Sequence, residues 1–174
     1  MSYLDVRESE WFYDSVKAVT EAGIMNGITD TKFEPNADVT RAMFVTTLWR
    51  LKDSPVVNFA MSFEDVASDT WYTEAVRWAT SEGITDGVTD TEFMPDDKIT
   101  REQMATMIMR LANGEADENT ACDYRDMADI SSYAKAGVVF CYEKGIMTGK
   151  DGGTFAPKTN ATRAELAAVL QRIH

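Results

Sequence analysis

The sequence predicts an all-α protein built from three copies of one helix–loop–helix unit. Three observations predict it. First, a set of landmarks recurs: Gly27, Phe33, Pro35, Thr40 and Arg41 return as Gly87, Phe93, Pro95, Thr100 and Arg101 at a shift of 60, and as Gly149, Phe155, Pro157, Thr162 and Arg163 at a further 62. A period of this length marks tandem supersecondary units. Second, the segments flanking each landmark loop carry apolar residues at helical spacing. Third, each loop is rich in Gly, Thr and Asp and keeps six steps between its glycine and its phenylalanine in every copy.

Within 174 residues, units of about 60 bury too little apolar surface to stand alone. The three copies, residues 1–57, 58–117 and 118–174, are therefore expected to share one core. The links between them, 52–62 and 112–123, are short, which favours a closed, roughly threefold helical assembly.

In order along each copy, an Asp comes first: Asp5, Asp65 and Asp126. An aromatic then opens the first helix at Trp11, Trp71 and Tyr133. That helix is expected over about 11–22, 71–82 and 132–144, with Ser68 or Asp69 able to cap the second copy. Gly23, Gly83 and Gly145 stand where a helix C-terminal glycine belongs. In the loop, Phe33, Phe93 and Phe155 read as plugs that pin it to the core. Trp49 and Trp78 read as packing residues.

The second helix opens with TRAM at 40–43, TREQ at 100–103 and TRAE at 162–165. Thr162 with Glu165, and Thr100 with Gln103, form capping boxes, whereas Met43 leaves Thr40 only half of one. Capping does not explain Arg41, Arg101 and Arg163. A cation at the first helical position opposes the helix dipole. Two readings stand side by side. An arginine beside free N–H groups can clamp a carboxylate or phosphate. Alternatively, each arginine forms a structural salt bridge to an acid such as the Asp of its copy. The aromatics carry a similar pair of readings, since a ring there packs in the core or stacks on a sugar face.

A formal net charge of −12 argues against a nucleic-acid partner, whose phosphates need a basic face. No apolar run is long enough to span a membrane. The opening MSYLDV has neither the basic nor the apolar region of a signal peptide. There is no phosphate loop, nucleophile elbow or His/Cys metal cluster, so no enzyme, cofactor or metal is expected. The acidic stretch 85–90 lacks calcium-loop spacing. Cys141 falls in a helical apolar pattern and is read as a buried free thiol, with a Cys122–Cys141 bridge as the lesser reading.

Taken together, F-E-D-V…W-Y…G-I…G…F-x-P…I-T-R-E in the second copy and T-R-A-E in the third resemble the S-layer homology family, as three tandem modules covering residues 3–174. The resemblance implies a pseudo-threefold spindle of helices with grooves between modules. It implies an extracellular, non-covalent anchor for secondary cell-wall polysaccharide, with a pyruvylated N-acetylmannosamine end group as ligand and cargo domains elsewhere in a longer parent protein. On that basis Arg41, Arg101 and Arg163 would clamp the ketal carboxylate. Asp5, Asp65 and Asp126 would accept sugar hydroxyls or orient an arginine. Trp11, Trp71 and Tyr133 would stack on the ring, and Gly27, Gly87 and Gly149 would let backbone approach it. The copies depart from the pattern at Met43, Gln103, Met127 and Tyr133, so unequal grooves are expected, with the Arg101 groove ranked first. A protein–protein or self-assembly scaffold without a carbohydrate ligand is the alternative function.

Overall fold

A computed structural model describes residues 2–174. It contains six α-helices: α1 (Tyr13–Glu21), α2 (Arg41–Leu51), α3 (Thr73–Ser81), α4 (Arg101–Leu111), α5 (Lys135–Glu143) and α6 (Arg163–Ile173). Two single 3-10 turns, Met127–Asp129 and Ser132–Ala134, precede α5. Among the described residues there is no β-sheet, only isolated bridges. The all-α prediction is correct.

The helix ends follow local chemistry. Gly23, Gly83 and Gly145 take φ of 70°, 68° and 64°, a left-handed conformation that a side chain disfavours. At the second of them, Gly83 N–H donates to Thr80 O and Ile84 N–H to Ala79 O, the paired bonds of a Schellman stop. Thr100 with Gln103 and Thr162 with Glu165 complete their boxes, while Thr40 accepts only from Met43 N–H.

The starts of the first helices depart from expectation. Trp71 and Tyr72 lie in the turn before α3, and neither Ser68 nor Asp69 caps it. Thr73 displaces them: its hydroxyl donates to Ala67 O at 2.7 Å and accepts from Thr70 N–H at 3.0 Å. Both cysteines are free thiols. Cys141 is fully buried, and burial pushes its pKa up to about 12.

The helices pair across copies rather than within them. α3 packs on α2, α5 on α4, and α1 returns to pack on α6. The loops close the same cycle. Val39 N–H donates to Ala161 O, Ala161 N–H to Ile99 O, and Ile99 N–H to Val39 O, at 2.9, 3.0 and 2.9 Å. These three residues are buried at the meeting point of the copies. Phe33, Phe93 and Phe155 are each 0% exposed beneath their loops, with Phe44, Leu48, Met104, Ile108, Leu166 and Leu170 in the same core. Every copy therefore leaves its apolar helix faces incomplete until its neighbours cover them.

Candidate functional site

The three arginines are buried, at 3%, 4% and 6% exposure. Each reaches into the loop of the next copy. Arg41 Nε donates to Phe93 O at 2.7 Å, Arg101 Nε to Phe155 O at 2.8 Å, and Arg163 Nε to Phe33 O at 2.7 Å. Each guanidinium also lies over the ring of that phenylalanine, 4.8, 4.9 and 4.5 Å from its centre. A carbonyl and a π face thus offset the unfavourable position at the helix start. Burial lowers each arginine's pKa, against the attraction of nearby acids. The guanidinium group nevertheless stays charged, since its reference pKa is far above neutrality.

The aspartates do not bridge the arginines. Asp5 accepts from Phe33 and Glu34 N–H, Asp65 from Phe93 and Met94 N–H, and Asp126 from Phe155 and Ala156 N–H, all at 2.6–2.9 Å. Glu34, Met94 and Ala156 hold φ of 58°, 56° and 57° just before a proline. Side-chain-bearing residues rarely adopt that region. Each carboxylate clips the strained residue in place, with both oxygens engaged. Burial pushes the Asp5 pKa up, but the Phe33 and Glu34 N–H donors, with its own N–H and the Lys32 charge, outweigh it and hold the group below its ordinary value of 3.8.

The glycines also face their own copy. A Cβ on Gly87 would lie 2.5 Å from the Phe63 ring, and one on Gly149 2.9 Å from the Tyr124 ring. One on Gly27 would collide with Tyr3. The space that each missing side chain leaves is filled by an aromatic beneath the loop.

Three grooves run along the surface, and each takes parts from all three copies. The first, of about 420 Å³, is lined by Trp11, Arg101, Gly149, Lys150, Glu165 and Arg172. The second, of about 320 Å³, is lined by Tyr133, Arg41, Gly87, Gln103, Thr106 and Arg110. The third, of about 210 Å³, is lined by Trp71, Arg163, Gly27, Met43, Thr46 and Arg50. The predicted aromatics are exposed at 65%, 60% and 56% for Trp11, Trp71 and Tyr133, so they are not core residues. The structure thus groups Trp11 with Arg101 and Gly149, Tyr133 with Arg41 and Gly87, and Trp71 with Arg163 and Gly27. Asp5, Asp65 and Asp126 line none of the three grooves and sit behind the loops instead.

A second arginine in each groove escaped the reading of motifs. Arg50, Arg110 and Arg172 donate to Ile24 O, Ile84 O and Ile146 O, the carbonyls after the Schellman glycines. They obey the same shifts of 60 and 62, so the repeat itself carried the signal. Glu102 is a different case. It replaces Ala42 and Ala164 of the other copies and is 3% exposed. It accepts from Ser131 N–H at 3.0 Å, Ser131 Oγ at 2.9 Å, Tyr133 Oη at 3.2 Å and Lys158 Nζ at 2.6 Å. Burial raises its pKa, but the Lys158 and Ser131 donors outweigh this and hold it below 4.5. Burial and Glu102 push the Tyr133 phenol up to about 12.

Among the described residues, no group of His, Cys, Asp and Glu side chains converges as a metal site, and no helix is long and apolar enough to cross a membrane. The chain is similar over nearly its whole length to parts of much larger proteins. It is 35% identical to an amylopullulanase of Thermoanaerobacterium thermosulfurigenes over 97% of this chain and 9% of that protein. It is 27% identical to a cellulosome-anchoring protein of Acetivibrio thermocellus over 87% of this chain and 35% of that protein. It is 25% identical to a surface-layer 125 kDa protein of Lysinibacillus sphaericus over 91% of this chain and 14% of that protein. The family profile described as S-layer homology domain matches three times in tandem, at residues 2–43, 62–105 and 123–167, and the chain belongs to that family.

Proposed function

We propose that this chain is a non-catalytic, non-covalent cell-surface anchor that binds secondary cell-wall polysaccharide in its grooves. One observation carries the reading. Each groove sets an exposed aromatic from one copy against a buried arginine from a second and a glycine-bearing loop from a third. A flat ring suits the apolar face of a sugar, and an arginine suits a carboxylate on it. A pyruvylated N-acetylmannosamine end group offers both. The family places the chain outside the cell, at the wall. The surface-layer and cellulosome-anchoring names of relatives agree with that location. The chain spans 9% of the amylopullulanase, and on this reading that protein's activity is assigned to its remainder and not to this segment.

Several grooves on one chain let a polymer with many end groups rebind before it escapes, so modest single-site affinity suffices. The test is a pull-down of the chain with purified wall polysaccharide, beside the same material after mild acid removal of ketal pyruvate. Binding only to the untreated polymer supports the anionic end group. Binding to both samples keeps the anchor and moves recognition to the neutral sugar and the aromatics. Binding to neither refutes the anchor.

A further inference from the structure

Resting on the anchor reading, we infer that the three grooves divide the work, and that the one lined by Tyr133 and Arg41 is the site of the acidic sugar. The arginines differ in what they have left to donate. Each nitrogen of Arg101 has a partner: Nε bonds Phe155 O, Nη2 bonds Thr148 O at 2.8 Å, and Nη1 lies 3.4 Å from the Glu165 carboxylate. Arg163 gives Nη2 to Asn26 O at 2.7 Å. The matching carbonyl in the second groove would be that of Asp86, and Arg41 does not take it. Arg41 Nη2 is buried and has no hydrogen-bond partner in the structure, on a side chain only 3% exposed that lines the groove. A buried donor left unpaired is costly. A carboxylate entering here would satisfy it.

The residue three positions into the second helix sets the charge beside each arginine. In the Arg101 groove it is Glu165, which pairs with both Arg101 and Lys150 and so already holds the arginine's Nη1. In the Arg41 groove it is Gln103, which completes the same capping box without a charge. The one acid in that groove, Asp86, is 75% exposed and already paired with Arg110 at 2.9 Å. In the Arg163 groove it is Met43, and the space is the smallest of the three. The ring in the Arg41 groove is also the best fixed. Glu102 accepts from the Tyr133 hydroxyl, whereas Trp11 and Trp71 rest on edge contacts to Phe12 and Tyr72. These contacts reverse the order suggested by motif quality, which favoured Arg101.

The test exploits position three, because either Glu or Gln completes the capping box there. Calorimetry uses the methyl glycoside of pyruvyl-ketal N-acetylmannosamine and, beside it, the same glycoside without the ketal. Gln103→Glu is expected to weaken the ketal sugar roughly tenfold, the scale of a charge-assisted bond, with thermal stability unchanged. Glu165→Gln is expected to strengthen binding in the Arg101 groove and raise the number of sites measured. Unaltered binding in Gln103→Glu, or three equal sites in the unmodified chain, overturns the assignment and leaves the anchor standing. Failure of the unmodified chain to bind the ketal sugar overturns it as well. Failure to bind wall polysaccharide at all sinks the anchor itself.

Discussion

Replacing Asp65 with alanine separates its structural work from any contact with a ligand. The carboxylate accepts Phe93 N–H at 2.9 Å and Met94 N–H at 2.6 Å. Hydrogen bonds to a charged group contribute ~1.5–3 kcal/mol each where water is excluded. Asp65 is exposed, so water recovers part of that loss at Met94. Phe93 N–H lies over a fully buried ring and is recovered less easily. The strain of Met94 at φ 56° is carried by both proteins, so it does not enter the difference between them. The two lost bonds together come to about 2 kcal/mol of destabilisation. For a chain of this length that is a fall in Tm of roughly 4–8 °C. Urea titration and thermal melting of the variant beside the unmodified chain measure it, and Asp65→Asn, which keeps one acceptor, should fall between them. If Asp65→Ala melts within about 0.5 kcal/mol of the unmodified chain while wall binding is lost, Asp65 meets the ligand and the clip is incidental.

Acid should weaken the fold through specific groups. The folded pKa values of Asp5 and Glu102 lie below their ordinary values of 3.8 and 4.5, so their contributions are complete above those values and vanish as pH falls through the folded ones. Urea midpoints from neutral pH downward should fall below about pH 4.5, with a shallower fall in Glu102→Gln. Phe93→Ala removes a fully buried ring that also sits beneath Arg41, and should cost about 3–5 kcal/mol by urea titration. Trp71→Ala removes an exposed ring and should leave stability within about 0.5 kcal/mol while reducing retention on wall polysaccharide. Deleting residues 2–22 takes α1 from α6, so near-ultraviolet circular dichroism should show loss of fixed packing far from the deletion, in the third copy.

Features carried by neighbouring residues were legible before the structure. The repeat shift, the glycine stops, the full boxes at Thr100 and Thr162, and the half box at Thr40 all rest on contacts within a few positions. The burial of the phenylalanines follows from their fixed place in a loop of fixed length. Partners in another copy were not legible. Nothing local tells Arg41 to reach Phe93 rather than Asp5, because both satisfy a cation equally well on paper. In the second copy the first helix starts later than its aromatic suggests because Thr73 spends its hydroxyl on Ala67 O and Thr70 N–H. Arg50, Arg110 and Arg172 were available from the same shift but lie outside the motif. The Glu102–Ser131–Lys158 network occurs in one copy, so periodicity could not announce it.

The aid that arginine gives the fold also limits how it can be tested. Because Arg101 Nε holds Phe155 O and its guanidinium covers that ring, Arg101→Ala would loosen the loop whether or not the groove binds anything. Loss of wall binding in that variant would not distinguish a ligand contact from a damaged scaffold. The same division explains how three copies remain alike while their grooves diverge. The Nε bond, the ring contact and the aspartate clip are needed in every copy for the cycle to close. The two helix positions after each arginine are not: they read Ala-Met, Glu-Gln and Ala-Glu. Changes there alter the charge beside the arginine and the hold on the aromatic while leaving closure intact. On the proposed reading, recognition varies from groove to groove through these positions without breaking the cycle, and Gln103, Glu165 and Tyr133 report on it rather than the arginines.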